Sequence, residues 1–159
     1  DKMNTATIRA DALSSRLLTL VEVAEPRLRE VSELESTEPI LTGGWSHKQV
    51  IAHLIDSASN NHQRFVRATL QDSLDFPGYD QAGSVRVQAA QQADWRQLVS
   101  LWAAYNRYLA HVMAHLPASK LGTRCRIGGG EAVTLGFLAT DYLTHLHHHL
   151  SQIGVADSD

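Results

Sequence analysis

Four long stretches of this sequence carry apolar residues at helical spacing, and this pattern limits the possible folds more than any other feature. They cover residues 5–33, Ser46 to about Leu70, the segment from Asp94 to just before Pro117, and about 134–153. Apolar residues three and four positions apart form one apolar stripe on each helix. No stretch of the sequence gives convincing evidence for a β-sheet. We therefore predict an all-α fold, a four-helix bundle with long connecting loops.

Residues near the ends of these stretches favour particular helix boundaries. Ser46 and Asp94 are good N-caps, and Gly154 favours a stop after Ile153. Pro26 is predicted to kink or shorten the first helix near its middle, because proline removes a backbone donor.

Two connecting segments have features of their own. Residues 72–92 show no sustained period and contain the aromatic run from Phe76 to Asp80, which favours either a lid or pocket wall or a packed surface loop. Glycines at 128–130 predict a tight turn within a short hairpin between Thr123 and Val133. They lack the strand–helix context of a phosphate-binding loop.

Length and composition favour one cytoplasmic domain. The 159 residues, 43% of them hydrophobic, are enough for a single core, which we assign to residues 4–155. Residues 1–3 are interpreted as an added remnant plus the initiating Met3. The net charge of -3 gives no basic field, so neither nucleic acid nor a membrane is expected as a partner. No apolar run approaches a membrane span, and no signal peptide is evident.

The single cysteine, Cys125, excludes an intramolecular disulfide framework and fits a reducing cytosol. Its neighbours Arg124 and Arg126 are of the type that lowers a thiol pKa. A lone loop cysteine is nevertheless more often incidental than catalytic, and we favour that interpretation.

Four of the nine histidines lie within residues 145–149. Residues four apart stack on one face of a helix, so His145 and His149 can present two imidazoles to one point. Helical phase places both within or at the edge of the apolar arc of the last helix. It places His147 on the opposite side and His148 on a polar face.

A third inward-facing histidine, His53, lies at the margin of the apolar arc of the second helix. Ser57, then Asn60 or Asn61, then Arg64 follow on the same face, and such a polar strip suits a pocket wall. Buried imidazoles need partners for their ring nitrogens. The set at 53, 145 and 149 is therefore either a metal site or a hydrogen-bonded core cluster.

The remaining polar candidates are assigned lesser roles. His111 and His115 share the same spacing but lie at the end of the third helix, where protonated histidines are favoured. His47 and His62 lack inward phase and are expected to be solvated. Asp56 is a candidate carboxylate for orienting an imidazole.

Two segments resemble a known family. Residues 45–56, WSHKQVIAHLID, are similar to the W-S-x-x-x-x-x-x-H-L-x-D opening of the second helix in DinB-like (YfiT-like) proteins. Residues 142–153, YLTHLHHHLSQI, resemble the last helix of that family, H-x-x-x-H-(L/I)-x-Q-(I/L). The resemblance implies a four-helix bundle with an unusual connection order, often dimeric, that holds a divalent metal through His53, His145 and His149. It implies nickel or zinc as the metal and a homodimer as the assembly.

Three protein ligands leave coordination positions open, as in catalytic metal sites. Relatives of this fold include thiol-dependent transferases and isomerases, so the resemblance favours a low-molecular-weight thiol as partner alongside a small-molecule substrate. The alternative is metal-dependent hydrolysis, which usually needs a general base. No glutamate lies beside the ligands. Asp56 is the nearest carboxylate in sequence, and Asp141 precedes His145 by one turn.

Candidate catalytic residues are Asp56, Ser57 and Arg64. Arg64 and Arg67 are of the type that holds a substrate carboxylate, although either is also compatible with an ordinary solvated helix charge. A non-catalytic, stress-associated metal-binding bundle stays open as a further alternative. The tryptophans at positions 45, 95 and 102 suit either the core or a dimer face.

Overall fold

The computed structural model describes residues 9–41 and 44–158. Four long helices dominate it: α1 (Ala10–Glu30), α3 (His47–Leu70), α5 (Trp95–Ala114) and α6 (Leu135–Gln152). Short helices α2 (Glu33–Thr37) and α4 (Gln81–Val87) lie between them, with 3-10 turns at Ala90–Gln92 and Ala118–Lys120. Three short strands complete the fold: β1 (Ser73–Phe76), β2 (Arg124–Ile127) and β3 (Val133–Thr134). The predicted four-helix bundle is confirmed.

The long helices pack in a crossed order. α1 packs against α5 and α6, and α3 also packs against α5 and α6. Helices α1 and α3 are therefore diagonal to each other, as are α5 and α6, although each pair is consecutive among the long helices. A diagonal connection must cross one end of the bundle, which explains the long segments before α3 and before α6. The core contains fully buried side chains from all four helices, including Leu17, Leu28, Phe65, Trp102, Leu109, Leu143 and Leu146.

Helix α1 continues through Pro26 and ends at Glu30. The prediction that proline would shorten this helix near its middle is wrong, because Ala24 and Leu28 are both fully buried and packing holds the turn around it. The predicted start at residue 5 lies outside the described residues.

Helix α3 starts where the sequence indicates. The Ser46 hydroxyl accepts from the Gln49 backbone N–H, and the Gln49 side chain accepts from the Ser46 N–H, forming a capping box. Lys48 in the first turn is buried and forms an ion pair with Glu33 of α2. These contacts fix the end of α3 from which His53 projects.

The segment 72–92 is more regular than the sequence predicts. It contains β1, the helix α4 capped by Asp80, and a 3-10 turn. Elements of four and seven residues are too short to show a period, which explains why they were not predicted.

The predicted hairpin is confirmed, with β2 antiparallel to β3 and Arg124 opposite Thr134. Gly128 and Gly129 have φ of 59° and 72° at its turn, a region that favours glycine. β1 adds in parallel to β2, so a three-stranded sheet exists where none was expected. The Gly128 N–H donates to the Phe76 carbonyl at 2.8 Å, which fixes the aromatic segment against the hairpin.

Cys125 lies on the buried face of β2, and burial raises the pKa of its thiol to about 11. Arg124 and Arg126 lie on the opposite, exposed face, since side chains alternate along a strand. The idea that these arginines activate the thiol is wrong, and the interpretation of Cys125 as incidental agrees with its burial.

Helix α6 begins after the N-cap Thr134, whose hydroxyl accepts from the Phe137 N–H. It ends just before Gly154, which has φ of 77°, as the sequence predicts. None of the helices in the described ranges is both long and apolar enough to cross a lipid bilayer.

Candidate metal centre

Three histidines from two helices converge on one point between α3 and α6. The Nε2 atoms of His53 and His145 are 3.2 Å apart, and those of His145 and His149 are 3.1 Å apart. All three rings offer a ligand atom within 4.8 Å of the others. The structure thus brings together the three residues selected from helical phase.

The spacing of these atoms suits a small divalent cation. Zinc–nitrogen bonds of about 2.0–2.1 Å place neighbouring ligand atoms of a tetrahedron about 3.3 Å apart. The separations of 3.1 and 3.2 Å are close to that value. An all-imidazole set accepts several borderline metals, so the donor chemistry fits the implied divalent ion without selecting zinc or nickel.

A hydrogen-bonded cluster explains the same geometry less well. His145 Nε2 lies within hydrogen-bond distance of both other Nε2 atoms, but a ring nitrogen carries either one proton or one lone pair. It can therefore satisfy only one of its two neighbours fully. A cation at the shared point would accept all three lone pairs.

The surroundings keep the three imidazoles neutral. Burial, together with the smaller effects of the neighbouring His145 and His149, lowers the pKa of His53 to about 4. Burial and the adjacent histidines likewise lower the pKa of His149 to about 4. Burial lowers the pKa of His145 as well, against an opposing effect of Asp141. Neutral rings have lone pairs available for a metal.

Aromatic packing holds His53 in place. Its side chain is 1% exposed, and the Trp45 ring lies 5.3 Å from it at 52°. Its Nδ1 has no hydrogen-bond partner among the described residues. Asp56 does not supply one: its carboxylate accepts from Ser84 Oγ and Gln88 Nε2. Its described hydrogen bonds attach α4 to α3, and none reaches an imidazole as the sequence-based interpretation expected.

A polar cavity of about 270 Å³ opens beside His145. Ser57, Asn61 and Arg64 line it from α3, so two of the three candidate catalytic residues, Ser57 and Arg64, share this cavity with His145. Asp141 lines it from α6. The other lining residues are Gly78, Tyr79, Gln81, Ile127, Leu138 and Tyr142. The aromatic segment at 76–80 thus forms a pocket wall, one of its two predicted roles.

A second, mainly apolar cavity of about 320 Å³ lies beside His149. Trp45, Val50 and Ile153 are among its lining residues. The three-histidine cluster is therefore bordered by a polar space and an apolar one. From the sequence, the role of Trp45 stayed open between the core and a dimer face. Its position directly before the N-cap of α3 was the available signal that it lies near this end of the helix. Trp95 and Trp102 are core residues, 2% and 0% exposed.

The remaining histidines lie outside this centre. His148 is exposed, as predicted, whereas His147 is half-buried, with Nε2 2.7 Å from the Asp157 carbonyl oxygen. His47 and His62 were expected to be solvated, but both are half-buried. Their rings make edge contacts with aromatic side chains, His47 with Trp95 and His62 with Tyr105. Phase alone missed these contacts because the partners belong to other elements.

His111 and His115 are exposed near the end of α5, with ring centroids 4.3 Å apart. They are not part of the three-histidine cluster. This placement agrees with the structural role assigned to them from their position in the sequence.

Comparison with known proteins places the chain in a family. It is 22% identical over 143 residues to a candidate metal-dependent hydrolase of Bacillus pumilus, covering 90% of this chain and 82% of that protein. It is 24% identical over 147 residues to the candidate metal-dependent hydrolase YfiT of Bacillus subtilis, covering 86% and 79%. The solved structure of YfiT, described as a four-helix bundle of unusual topology, matches with a TM-score of 0.76 at 21% identity, covering 88% of this chain and 83% of that one. The DinB superfamily profile matches residues 16–153, and the chain belongs to this family.

Proposed function

We propose that this protein is a metal-dependent hydrolase that uses a divalent ion held by His53, His145 and His149. The observation that carries the proposal is the convergence of three neutral imidazole nitrogens at the edge of a polar cavity. Three protein ligands leave positions free for water and substrate. The descriptions of the two Bacillus relatives as candidate metal-dependent hydrolases support this class of reaction.

The chain's own residues supply the other needs of hydrolysis. A divalent ion in such a site acidifies water and polarises a carbonyl group. Asp141 lines the same cavity as His145, and we assign its carboxylate the role of accepting a proton from the attacking water. The Ser57 hydroxyl and the Asn61 side chain face the cavity and can orient a substrate by hydrogen bonds.

Thiol transfer was the class favoured from the sequence, because relatives of the fold include thiol-dependent enzymes and because no glutamate lies beside the ligands. Asp141, which precedes His145 by one turn, lines the cavity, and its carboxylate weakens the second reason. No described feature of the cavity favours a thiol over water, so the transferase and its thiol partner stay predictions. The choice of zinc or nickel and the homodimer also stay predictions.

The test starts from protein purified without a histidine tag. We expect an equimolar divalent metal after reconstitution with zinc or nickel, and hydrolysis of simple esters or amides that chelation abolishes and metal restores. Thiol consumption with electrophiles, measured in parallel, distinguishes a transferase. Stoichiometric metal without turnover of either kind would support the non-catalytic alternative, and failure to retain metal would contradict the site itself.

A further inference from the structure

Arg64 is a half-buried cation without an anionic partner. Its guanidinium lies 5.3 Å from the centre of the Phe76 ring, and its Nε is buried without a hydrogen bond. Within residues 9–41 and 44–158, no carboxylate forms an ion pair with it. Burying a charged group without a partner costs free energy. An anion that binds Arg64 from solution would offset this cost, and the surroundings of Arg64 therefore indicate an anion-binding site.

The other arginines show that this arrangement is unusual within the chain. Arg27 pairs with Asp157, and Arg29 and Arg107 both pair with Glu25. Every other described arginine is exposed, so water satisfies its charge whether or not it has a partner. Arg64 alone combines burial, an unpaired guanidinium and a place on a cavity wall.

The cavity connects this cation with the metal centre. Arg64 and His145 line the same space of about 270 Å³, which lies just below the usual range for ligand pockets and suits a small molecule. Tyr79 of the aromatic segment lines the space, and Asp141 adds one negative charge to its wall. Among the described residues, Arg64 is the only arginine on this wall, and its planar guanidinium can hold a carboxylate through two parallel N–H···O bonds.

We propose that Arg64 binds a free carboxylate of the substrate and positions the bond to be cleaved at the three-histidine centre. The substrate class would then be small esters or amides that carry a carboxylate. Hydrolysis adds water across the acyl–oxygen or acyl–nitrogen bond and leaves this second carboxylate unchanged. The substrate class rests on the proposed function, whereas the carboxylate site itself does not.

Binding is tested by calorimetry on the full chain with glutarate and with glutaramide, its neutral analogue. Both metal-free and zinc-loaded protein are used, because a carboxylate can also bind the metal. We expect Arg64→Gln to weaken glutarate binding to metal-free protein about 10- to 100-fold, the usual effect of losing charge-assisted hydrogen bonds. Arg64→Lys should keep part of the affinity, since it retains the charge but not the planar fork.

Arg67→Gln is the matched control. Arg67 lies 5.7 Å from the same Phe76 ring but is exposed and does not line the cavity, so its loss should leave glutarate binding unchanged. Thermal unfolding and zinc content check that Arg64→Gln is folded. Glutarate binding that is absent from the wild type, or equal in wild type and Arg64→Gln, would overturn the proposal.

Kinetics separate this proposal from the proposed function. Zinc-loaded protein is assayed with mono-p-nitrophenyl glutarate, which has one free carboxylate. The comparison substrate is the same p-nitrophenyl ester with that carboxylate converted to a neutral methyl ester. We expect Arg64→Gln to remove a preference for the charged ester, mainly through KM. Hydrolysis of both esters with equal kcat/KM in the wild type would remove the substrate assignment and leave the hydrolase intact. No hydrolysis, with Arg64-dependent glutarate binding, would remove the hydrolase and leave the carboxylate site.

Discussion

Whether a histidine can bind the metal depends on where its ring nitrogen lies. His149 Nε2 lies 3.1 Å from His145 Nε2, whereas His148, the next residue back, is exposed. The two histidines are adjacent in sequence yet face different surroundings, because consecutive residues on a helix are about 100° apart. They are therefore a matched pair for testing the site.

We predict that His149→Ala lowers the affinity for zinc by more than about 100-fold, since losing a group that merely supports a ligand already costs about 10- to 100-fold. His148→Ala should retain the metal. Elemental analysis after dialysis against a limiting zinc buffer measures both. Equal metal content in the two variants would contradict the assigned ligand set.

Residue-level prediction from the sequence succeeded where the signal lay within one helix. Spacing and phase selected His145, His149 and His53, and the structure brings them together. It failed for His47 and His62, whose burial depends on Trp95 and Tyr105 of another helix. The phase of a single helix contains no information about which aromatic side chains face it.

At the scale of elements, α3 is the main support of the site. It provides His53, Ser57, Asn61 and Arg64 along one face, at spacings of four, four and three residues. Its start is held by the capping box of Ser46 and Gln49 and by the Ser46 hydroxyl, which donates to Gln91 Oε1 at 2.6 Å. These contacts couple the beginning of α3 to the segment after α4.

Ser46→Ala should lower the free energy of unfolding by about 1 kcal/mol, the typical loss for an N-cap. Ser59→Ala is the control, because Ser59 is an exposed residue within the same helix and should change stability by less than about 0.5 kcal/mol. Urea denaturation followed by circular dichroism measures both. A loss in Ser46→Ala no larger than in Ser59→Ala would show that the cap is not needed.

The long helices and the β2–β3 hairpin were predictable, whereas the short elements α4 and β1 were not. Each long helix contains several turns, so its apolar stripe repeats often enough to be recognised. The strand β1 has only four residues, and it pairs with β2 about 50 positions away. Such pairing is a tertiary property that no local pattern records.

At the scale of the whole molecule, the candidate metal centre lies between two neighbouring helices of the crossed bundle. His53 belongs to α3 and the other two ligands to α6, which pack side by side although the chain visits α5 between them. A metal at this point would bind the folded state and not the unfolded chain, so it should stabilise the bundle.

Zinc at about 100 times its dissociation constant should add about 2.7 kcal/mol of stability. For a domain of this size, we expect a rise in Tm of about 5–10 °C. His53→Ala should lose this rise, whereas His111→Ala, which removes an exposed histidine outside the cluster, should keep it. Differential scanning calorimetry with and without zinc provides the measurement. A rise that persists in His53→Ala would mean that zinc binds elsewhere.

The sequence by itself determined the four long helices, most of their boundaries and the inward phase of three histidines. These features follow from backbone geometry within one element, which spacing along the chain records directly. Only the tertiary structure decided that α3 and α6 are neighbours, that Asp141 shares a cavity with His145, and that Arg64 has no ionic partner among the described residues. Those features depend on how the connecting segments cross the bundle and which faces they bring into contact. Packing between distant segments sets that outcome, and local periodicity does not encode it.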